Sequence, residues 1–411
     1  MFACMALGAF NDNYFKNALI ILITYQLSQQ LALDAATLIS LASALFILPF
    51  FLCSGVAGAL ADRYAKARMV RWLKFTELLL FIAAAFVLIG ESVNGMMLVL
   101  FLLGVQAAFF GPVKYAILPE LVAREQLLAA NGLVEAGTFL SILMGTILGG
   151  LVILMPQGAW WVGGSMVAMG ALGLWFAARI PQTLAAEVSS PMRWNILSTT
   201  FAMLRHAFHT PMLARAIIGI SWFWAIGATY LTQIPVFTKE VIGGDQTMVV
   251  VFLASFSVGI ALGSLLCQRL LKGEATLRLA PFALLAMCVF GIDLWWISAQ
   301  FTEPTDEFAS LRSLLTHHTI PILRVLADFF LLSVAGGVLI VPLYTRLQLA
   351  SEAAERGRTI ASNNVMNALA ITLASLAAAA AYALGAEVRE VLLAAALMNL
   401  PIMLLYRDRS A

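Results

Sequence analysis

Residues 58–68 read Gly58-Ala59-Leu60-Ala61-Asp62-Arg63-Tyr64-Ala65-Lys66-Ala67-Arg68 and stand between two long apolar runs, 36–61 and 70–90. A helix needs about 20 apolar residues to cross the hydrocarbon layer of a bilayer, and each neighbouring run is long enough. An acid, a tyrosine and three bases packed into seven residues belong at the edge of such a layer and not inside it. The stretch therefore reads as a short loop joining two membrane-spanning helices.

The same pattern extends over all 411 residues. Further apolar runs stand at 5–28, 96–118, 127–155, 159–178, 213–238, 248–271, 278–298, 320–345, 358–383 and 388–406. They are continuous and not alternating, so helices are expected instead of barrel strands. Hydrophobic residues make up 62% of the chain and charged residues 11%, against about 45–50% and about 25% in soluble domains. Mean hydropathy is +0.93. The expectation is an all-α membrane protein with about twelve transmembrane helices, and not a soluble enzyme. Apolar sequence follows Met1 with no basic leader, so no removable signal peptide is expected. Cys4, Cys53, Cys267 and Cys288 all lie in apolar runs, which suggests neither a disulfide framework nor a zinc cluster.

Charge placement gives an independent test. Lysine and arginine concentrate in cytoplasmic loops. With the N-terminus inside, the loops after even-numbered spans and the C-terminus hold all but six of the 24 basic residues. Arg63, Lys66, Arg68, Arg71 and Lys74 supply five of these after the second span. Lys239, Arg312 and Arg389 fall in the opposite loops; Lys16, Lys114 and Arg324 fall in or beside spans. An even span number with both termini cytoplasmic follows.

The polar interruption at 179–212 divides the spans into bundles at 1–178 and 213–411. Within it, Trp194, Leu197, Phe201, Leu204 and Phe208 step by three and four, the spacing of an amphipathic surface helix; a plain linker is the alternative. The halves repeat weakly. GVQAAFFGPVKYAILPELVAREQLLAANGLVEA, ending the fourth span and entering the fifth, parallels GGVLIVPLYTRLQLASEAAERGRTIASNNVMNA around the tenth and eleventh. Pro112 and Pro342 recur in order, as do Asn131 and Asn363, each with a polar residue four positions on (Glu135 and Asn367). Two pseudo-symmetric six-helix bundles are one arrangement that places a transport site near the midplane.

The loop at 58–68 resembles the signature of the major facilitator superfamily, with Ala65 where the pattern usually has glycine. Asp62 can cap a helix end and Arg63 can pair with a neighbouring acid. With Lys66 and Arg68 they form a candidate conformational switch of contacts made in one state and broken in another; a positive-inside anchor is the simpler reading.

The first span is the most polar: Gly8-Ala9-Phe10-Asn11-Asp12-Asn13-Tyr14-Phe15-Lys16-Asn17. A charge near the bilayer centre costs about 2.5–3.5 kcal/mol on insertion scales. Asp12 and Lys16, at i and i+4, can pair, and the segment suits a wall of a polar cavity. A buried structural pair, or Asp12 at the interface, would fit the same residues. In the fourth span Pro112 frees a backbone carbonyl, and Lys114 either snorkels to headgroups or pairs with Glu135. Arg324 and Asp328 again stand at i and i+4, while Asp293 and Glu77 are single acids in spans. Thr229, Tyr230, Thr232 and Gln233 offer neutral hydrogen-bonding groups that suit a headgroup or an interhelical contact. His317 and His318 lack companions for a metal site. No phosphate-binding glycine loop and no nucleophile elbow is present, so transport would run on a gradient.

Phe10-Asn11-Asp12-Asn13, Pro112-Val113-Lys114-Tyr115-Ala116-Ile117-Leu118-Pro119-Glu120-Leu121 and Asn131-Gly132-Leu133-Val134-Glu135-Ala136 together resemble the bacterial lysophospholipid transporter branch of that superfamily. Ser221-Trp222-Phe223-Trp224-Ala225-Ile226-Gly227-Ala228-Thr229-Tyr230 is similar to members fused to an acyltransferase and an acyl-carrier-protein synthetase. The resemblance implies a flippase in the bacterial inner membrane. It would move lysophospholipids, chiefly lysophosphatidylethanolamine, from the outer to the inner leaflet by alternating access, for reacylation in phospholipid remodelling. It implies functional roles for Asp12 and Lys114, an acyltransferase or synthetase as partner or fused domain, a monomer among membrane lipids, and neither cofactor nor nucleic acid. Some relatives carry a base late in the seventh span, where this chain has Thr232 and Gln233; Lys16 is the alternative phosphate partner. The expected substrate contacts are Asp12, Asn13, Lys16, Asn17, Lys114, Tyr115, Asn131, Glu135, Tyr230, Thr232, Gln233, Asn363 and Asn364. Asp12, Arg324 and Asp328 are the expected coupling residues. Polyspecific drug efflux, and a non-transporting module that docks an acyltransferase, are the competing readings.

Overall fold

The computed structural model describes residues 1–24, 35–184, 196–301 and 309–406. The chain is a succession of helices: α1 (Phe2–Leu22), α2 (Ala35–Arg63), α3 (Lys66–Ile89), α4 (Val93–Ala116), the short α5 (Leu118–Leu121), α6 (Leu127–Ile153), α7 (Gly158–Ala178), α8 (Ile196–His209), α9 (Pro211–Phe237), α10 (Gln246–Leu270), α11 (Ala280–Ser298), the short α12 (Leu311–His317), α13 (Thr319–Ala350), α14 (Arg356–Ala383), α15 (Val388–Leu397) and α16 (Asn399–Met403). The β-pairing among the described residues is an isolated bridge between Gly244 and Ala309.

Of these, 11 helical segments are long and apolar enough to cross a membrane. α1 is the twelfth by length, at about 32 Å for its 21 residues; the polar run from Asn11 to Asn17 lowers its hydropathy. The helical bounds follow the apolar runs closely, because hydrocarbon leaves the backbone no hydrogen-bond partner other than its own. The last run is the exception, since α15 stops at Leu397 and α16 resumes at Asn399, two residues before Pro401. Side chains supply several missing end partners: Ser92 accepts from the Gly95 amide, Asp245 from the Met248 amide, and Glu387 with Glu390 completes a capping box.

The chain forms two compact units, one of residues 1–124, 140–213 and 347–365, the other of 125–139, 214–346 and 366–411. In the first unit the packed face of α1 carries Cys4, Gly8, Asn11, Phe15, Ala18 and Leu22 at helical spacing. That face meets α7, where Cys4 donates to the Gly173 carbonyl and Asn11 to the Met166 carbonyl, while α6 presents Gly145 and Gly149 to the side of α1 that carries Phe10, Asn13 and Tyr14. A Cβ at Gly145 would stand 2.4 Å from the Phe10 carbonyl oxygen, and one at Gly149 2.3 Å from that of Tyr14. The small-xxx-small spacing thus lets the two backbones touch. α8 is present where the amphipathic spacing placed a helix. It buries Met203 and Ala207, with Leu204 packed beside Phe51, Ala361 and Val365. Phe201 stays 69% exposed, so the packed face is offset from the stripe read in the sequence. Trp194 lies outside the described residues.

In the second unit an aromatic core gathers Tyr230, Phe237, Phe252, Phe256 and Phe329, with ring centroids 5.3–6.4 Å apart. Arg389 of α15 donates to the Trp295 carbonyl and the Ser298 hydroxyl at the C-terminal end of α11, each at 3.0 Å, and so satisfies groups the helix end leaves open.

Candidate functional site

Apart from Asn11, the polar residues of the middle of α1 fall away from its packed stripe. Asp12, Asn13, Lys16 and Asn17 are all partly exposed, whereas Asn11, Tyr14 and Phe15 between them are buried. Helical periodicity does the sorting, because residues four apart share a face. Asn13 donates to the Ala9 carbonyl at 2.8 Å. Asn17 donates to the Asn13 carbonyl at 3.0 Å and to the Thr146 hydroxyl of α6 at 3.3 Å. Asp12 and Lys16 interact through space and make no direct ion pair, contrary to the i, i+4 expectation. The Asp12 Oδ1 is buried and accepts no hydrogen bond.

Behind α1 stands a buried group that the sequence reading left apart. Lys74 of α3 donates to both carboxylate oxygens of Glu77 at 2.8 Å, with both side chains buried. Gln106 of α4 donates to the same carboxylate at 3.3 Å, and the Lys74 ammonium lies 4.6 Å from the Phe110 ring centroid. Lys74 was expected to be a loop charge, but it lies inside α3. Gly8 makes room for it: a Cβ there would stand 2.7 Å from the Lys74 Nζ. Asp12 feels Glu77, Lys74 and Lys16 electrostatically. The i, i+3 spacing of Lys74 and Glu77 was the available signal.

The Asp62 carboxylate is buried and accepts three hydrogen bonds at the N-terminal end of α14: the Gly357 amide at 2.5 Å, the Arg358 amide at 3.2 Å and the Arg358 Nε at 2.9 Å. An anion at a helix N-terminus meets open amides and the positive end of the helix dipole. Close approach is set by Gly58, whose added Cβ would stand 2.6 Å from the Ala361 Cβ. Asp62 therefore caps a helix, as expected, but its cation is Arg358. Arg63 and Arg68 are exposed. Lys66 is buried and pairs with Glu120 at 2.7 Å, so it is not a free loop charge either. His206 of α8 pairs with Glu355 at 2.7 Å, next to the same cap.

Lys114 lies over the Tyr115 ring, 4.9 Å from its centroid. The Tyr115 carbonyl accepts from Gln348 at 3.0 Å. Nearby on α4, a Cβ at Gly111 would stand 2.4 Å from the Asn364 Nδ2. Both polar atoms of Asn363 and the Nδ2 of Asn364 are buried without hydrogen-bond partners. Such groups are uncommon in native interiors, and this pair supplies both donors and acceptors.

In the second unit, Asn131 is buried and donates to the Leu127 carbonyl and the Thr345 hydroxyl, each at 3.1 Å. Glu135 is buried one turn on. Tyr230 is buried in the aromatic core, its hydroxyl donating to the Leu392 carbonyl at 3.2 Å. Thr232 donates to the Ala228 carbonyl of its own helix at 2.9 Å. Gln233 accepts from the Tyr382 hydroxyl. Arg324 pairs with Asp293 through its Nε at 2.6 Å and through a second nitrogen, in place of the expected i, i+4 partner Asp328.

Helices of this number and length, with a capped loop after the second span, have a close counterpart in a known family. A model of the Major Facilitator Superfamily matches residues 1–311. The chain belongs to the Major Facilitator Superfamily. It is thus a multi-pass membrane protein and a transporter by family. The lysophospholipid transporter LplT of Escherichia fergusonii is 27% identical over 376 residues, covering 89% of this chain and 81% of that one. LplT of Cronobacter sakazakii is 27% identical over 369 residues, covering 88% and 81%. Among solved superfamily structures, the human organic anion transporter MFSD10 (TETRAN) aligns with a TM-score of 0.75 at 13% identity over 99% of this chain and 98% of that one. The transporter FucP in its outward conformation aligns at 0.72 and 13%, with the same coverage. At such identities the likeness is one of fold.

Proposed function

We propose that this protein is a lysophospholipid flippase of the bacterial inner membrane with both termini cytoplasmic. It carries lysophospholipids, chiefly lysophosphatidylethanolamine, from the outer to the inner leaflet, where an acyltransferase re-esterifies them. The observation that carries the reading is the polar face of α1, with Asp12 and Lys16 one turn apart and the Asp12 Oδ1 left open. A phosphoethanolamine headgroup has a cation and an anion a few ångströms apart. Residues at i and i+4 on a helix have Cβ atoms about 5–6 Å apart, so Asp12 meets the ammonium and Lys16 the phosphate. Asn13 and Asn17 add amide groups on the same face. Lys114, Tyr115, Asn363 and Asn364 are further proposed substrate contacts within the first unit, and Asn131, Glu135, Thr232 and Gln233 are proposed contacts within the second, each unit taken by itself. The 27% identity to proteins named lysophospholipid transporters supports the substrate class.

In this reading the Asp62 cap on α14 is made in one state of an alternating-access cycle and broken in another. The test is transport of a labelled lysophosphatidylethanolamine between leaflets of proteoliposomes that hold the purified chain. Wild type should translocate it, while Asp12→Asn and Lys16→Ala should each slow translocation. Wild-type rates in both variants would overturn the roles of Asp12 and Lys16. Competition by unrelated lipophilic cations, with no translocation of the lysolipid, would instead indicate drug efflux. No movement of either would indicate a docking module.

A further inference from the structure

The second unit has a charged group that the proposed transport path does not use. Asp293 lies five residues before the end of α11, and Arg324 five residues after the start of α13. Both stand about 7.5 Å inside their helix ends, at 1.5 Å per residue. Their ion pair lines an open groove of about 380 Å³ together with Val289, Phe290, Ile292 and Trp296. Ligand sites fall in a range of about 300–1,000 Å³. The groove is on an outer surface: Trp296 is 64% exposed and Arg324 46%, with Val289 and Leu323 also exposed. In a membrane protein those apolar exposures are lipid contacts. A tryptophan there occupies the depth of the headgroups and glycerol, where aromatic rings collect.

An ion pair on a lipid-facing surface is costly unless polar groups of the lipid reach it. Here they can. Arg324 gives two of its nitrogens to Asp293, and a guanidinium has five N–H donors. One turn deeper on α13, Asp328 is only 3% exposed, and its Oδ2 accepts no hydrogen bond. It lies within electrostatic reach of both Asp293 and Arg324. The site thus holds two carboxylates for one cation.

We infer that this groove binds the headgroup of a zwitterionic glycerophospholipid of the surrounding bilayer, with its phosphate on Arg324 and its ammonium on Asp293. Bidentate geometry suits arginine to phosphate, and the exposed apolar wall suits acyl chains. A purely anionic lipid would satisfy Arg324 and leave the surplus carboxylate facing it. The inference goes beyond the proposed flippase activity and does not rest on it.

The test uses the full chain in nanodiscs of digalactosyldiacylglycerol, which has neither phosphate nor ammonium, doped with a phosphatidylethanolamine that carries a photoreactive diazirine near its headgroup. After irradiation, labelled peptides are mapped by mass spectrometry, with unlabelled phosphatidylethanolamine or phosphatidylglycerol as competitor. Label should appear in the segments around Asp293–Trp296 and Ile320–Arg324, displaced by phosphatidylethanolamine and much less by phosphatidylglycerol. Arg324→Gln should reduce it by roughly tenfold or more. Asp293→Asn should retain labelling and lose the preference, so that phosphatidylglycerol competes equally well. Asp12→Asn should leave labelling here unchanged, which separates this site from the transport reading. Wild-type labelling in Arg324→Gln would mean an unspecific lipid shell and overturn the inference. So would equal competition by both lipids on the wild type. If Arg324→Gln does not fold, the competition experiment on wild type and Asp293→Asn decides alone.

Discussion

Replacing Asp62 by asparagine tests the helix cap directly. The carboxylate accepts from two backbone amides of α14 and from the Arg358 side chain. Asparagine keeps one acceptor of the same size, replaces the other with a donor, and removes the charge. Hydrogen bonds to charged groups contribute about 1.5–3 kcal/mol each, and breaking a buried pair costs about 3–5 kcal/mol. The Arg358 side chain is 29% exposed, so water recovers part of its solvation. The net loss should therefore fall near 2–3 kcal/mol. At about 1.4 kcal/mol per factor of ten, the opening constant of the first turn of α14 rises by roughly 30- to 150-fold. Amide hydrogen exchange measures that opening locally: the Gly357 and Arg358 amides should lose protection by this factor, while the Tyr230 region keeps its own. Arg358→Gln should cost less, because both amides keep their acceptor. Exchange at Gly357 within about threefold of wild type would refute the argument.

Three further outcomes follow from the packing. Glu77→Gln alone strands the Lys74 ammonium in a buried site and should cost about 3–5 kcal/mol, whereas the apolar double variant Lys74→Met with Glu77→Met should recover much of it; thermal unfolding in detergent distinguishes the two. Gly149→Ala drives a methyl into the Tyr14 carbonyl and should lower Tm through an overpacking cost of about 1–3 kcal/mol. Gly164→Ala, at a position with open space around it, should leave Tm unchanged. Gly8→Val pushes against the Lys74 and Glu77 side chains, and the expected result is slowed lysolipid translocation with α1 still helical by circular dichroism.

The long helices were legible because the bilayer imposes a length on every apolar run, and a run that long has few other uses. The polar face of α1 was equally plain, since Asp12, Asn13, Lys16 and Asn17 share a face at helical spacing and do not need a partner to be recognised. Partners across the chain were another matter. Asp62 and Arg358 lie 296 positions apart, and nothing local in either segment names the other. Asp62 could be read as a cap, but the helix it caps could not. Arg324 illustrates the same limit: its i+4 neighbour Asp328 was in view, but the guanidinium pairs with Asp293 on α11. Lys74 misled for a different reason. A lysine close to a basic loop reads as part of the loop, and the one sign of its buried place was an acid three residues on. Tyr230 shows that a polar residue in a span can be held by its ring, with the hydroxyl spent on a carbonyl.

The backbone contact of α1 with Gly145 and Gly149 carries a consequence for motion. Side chains that interdigitate can hop between rotamers and let one helix roll against another. Two backbones in contact have less such play, because a roll of α6 by 100°, the step of a single residue, would replace a glycine with a side chain whose Cβ meets the Phe10 or Tyr14 carbonyl oxygen. The azimuth of α1 is thereby tied to the second half of α6. While that contact holds, Asp12 and Lys16 keep a fixed bearing on Gly145 and Gly149, and they travel, as cargo on a rail, with that half of α6.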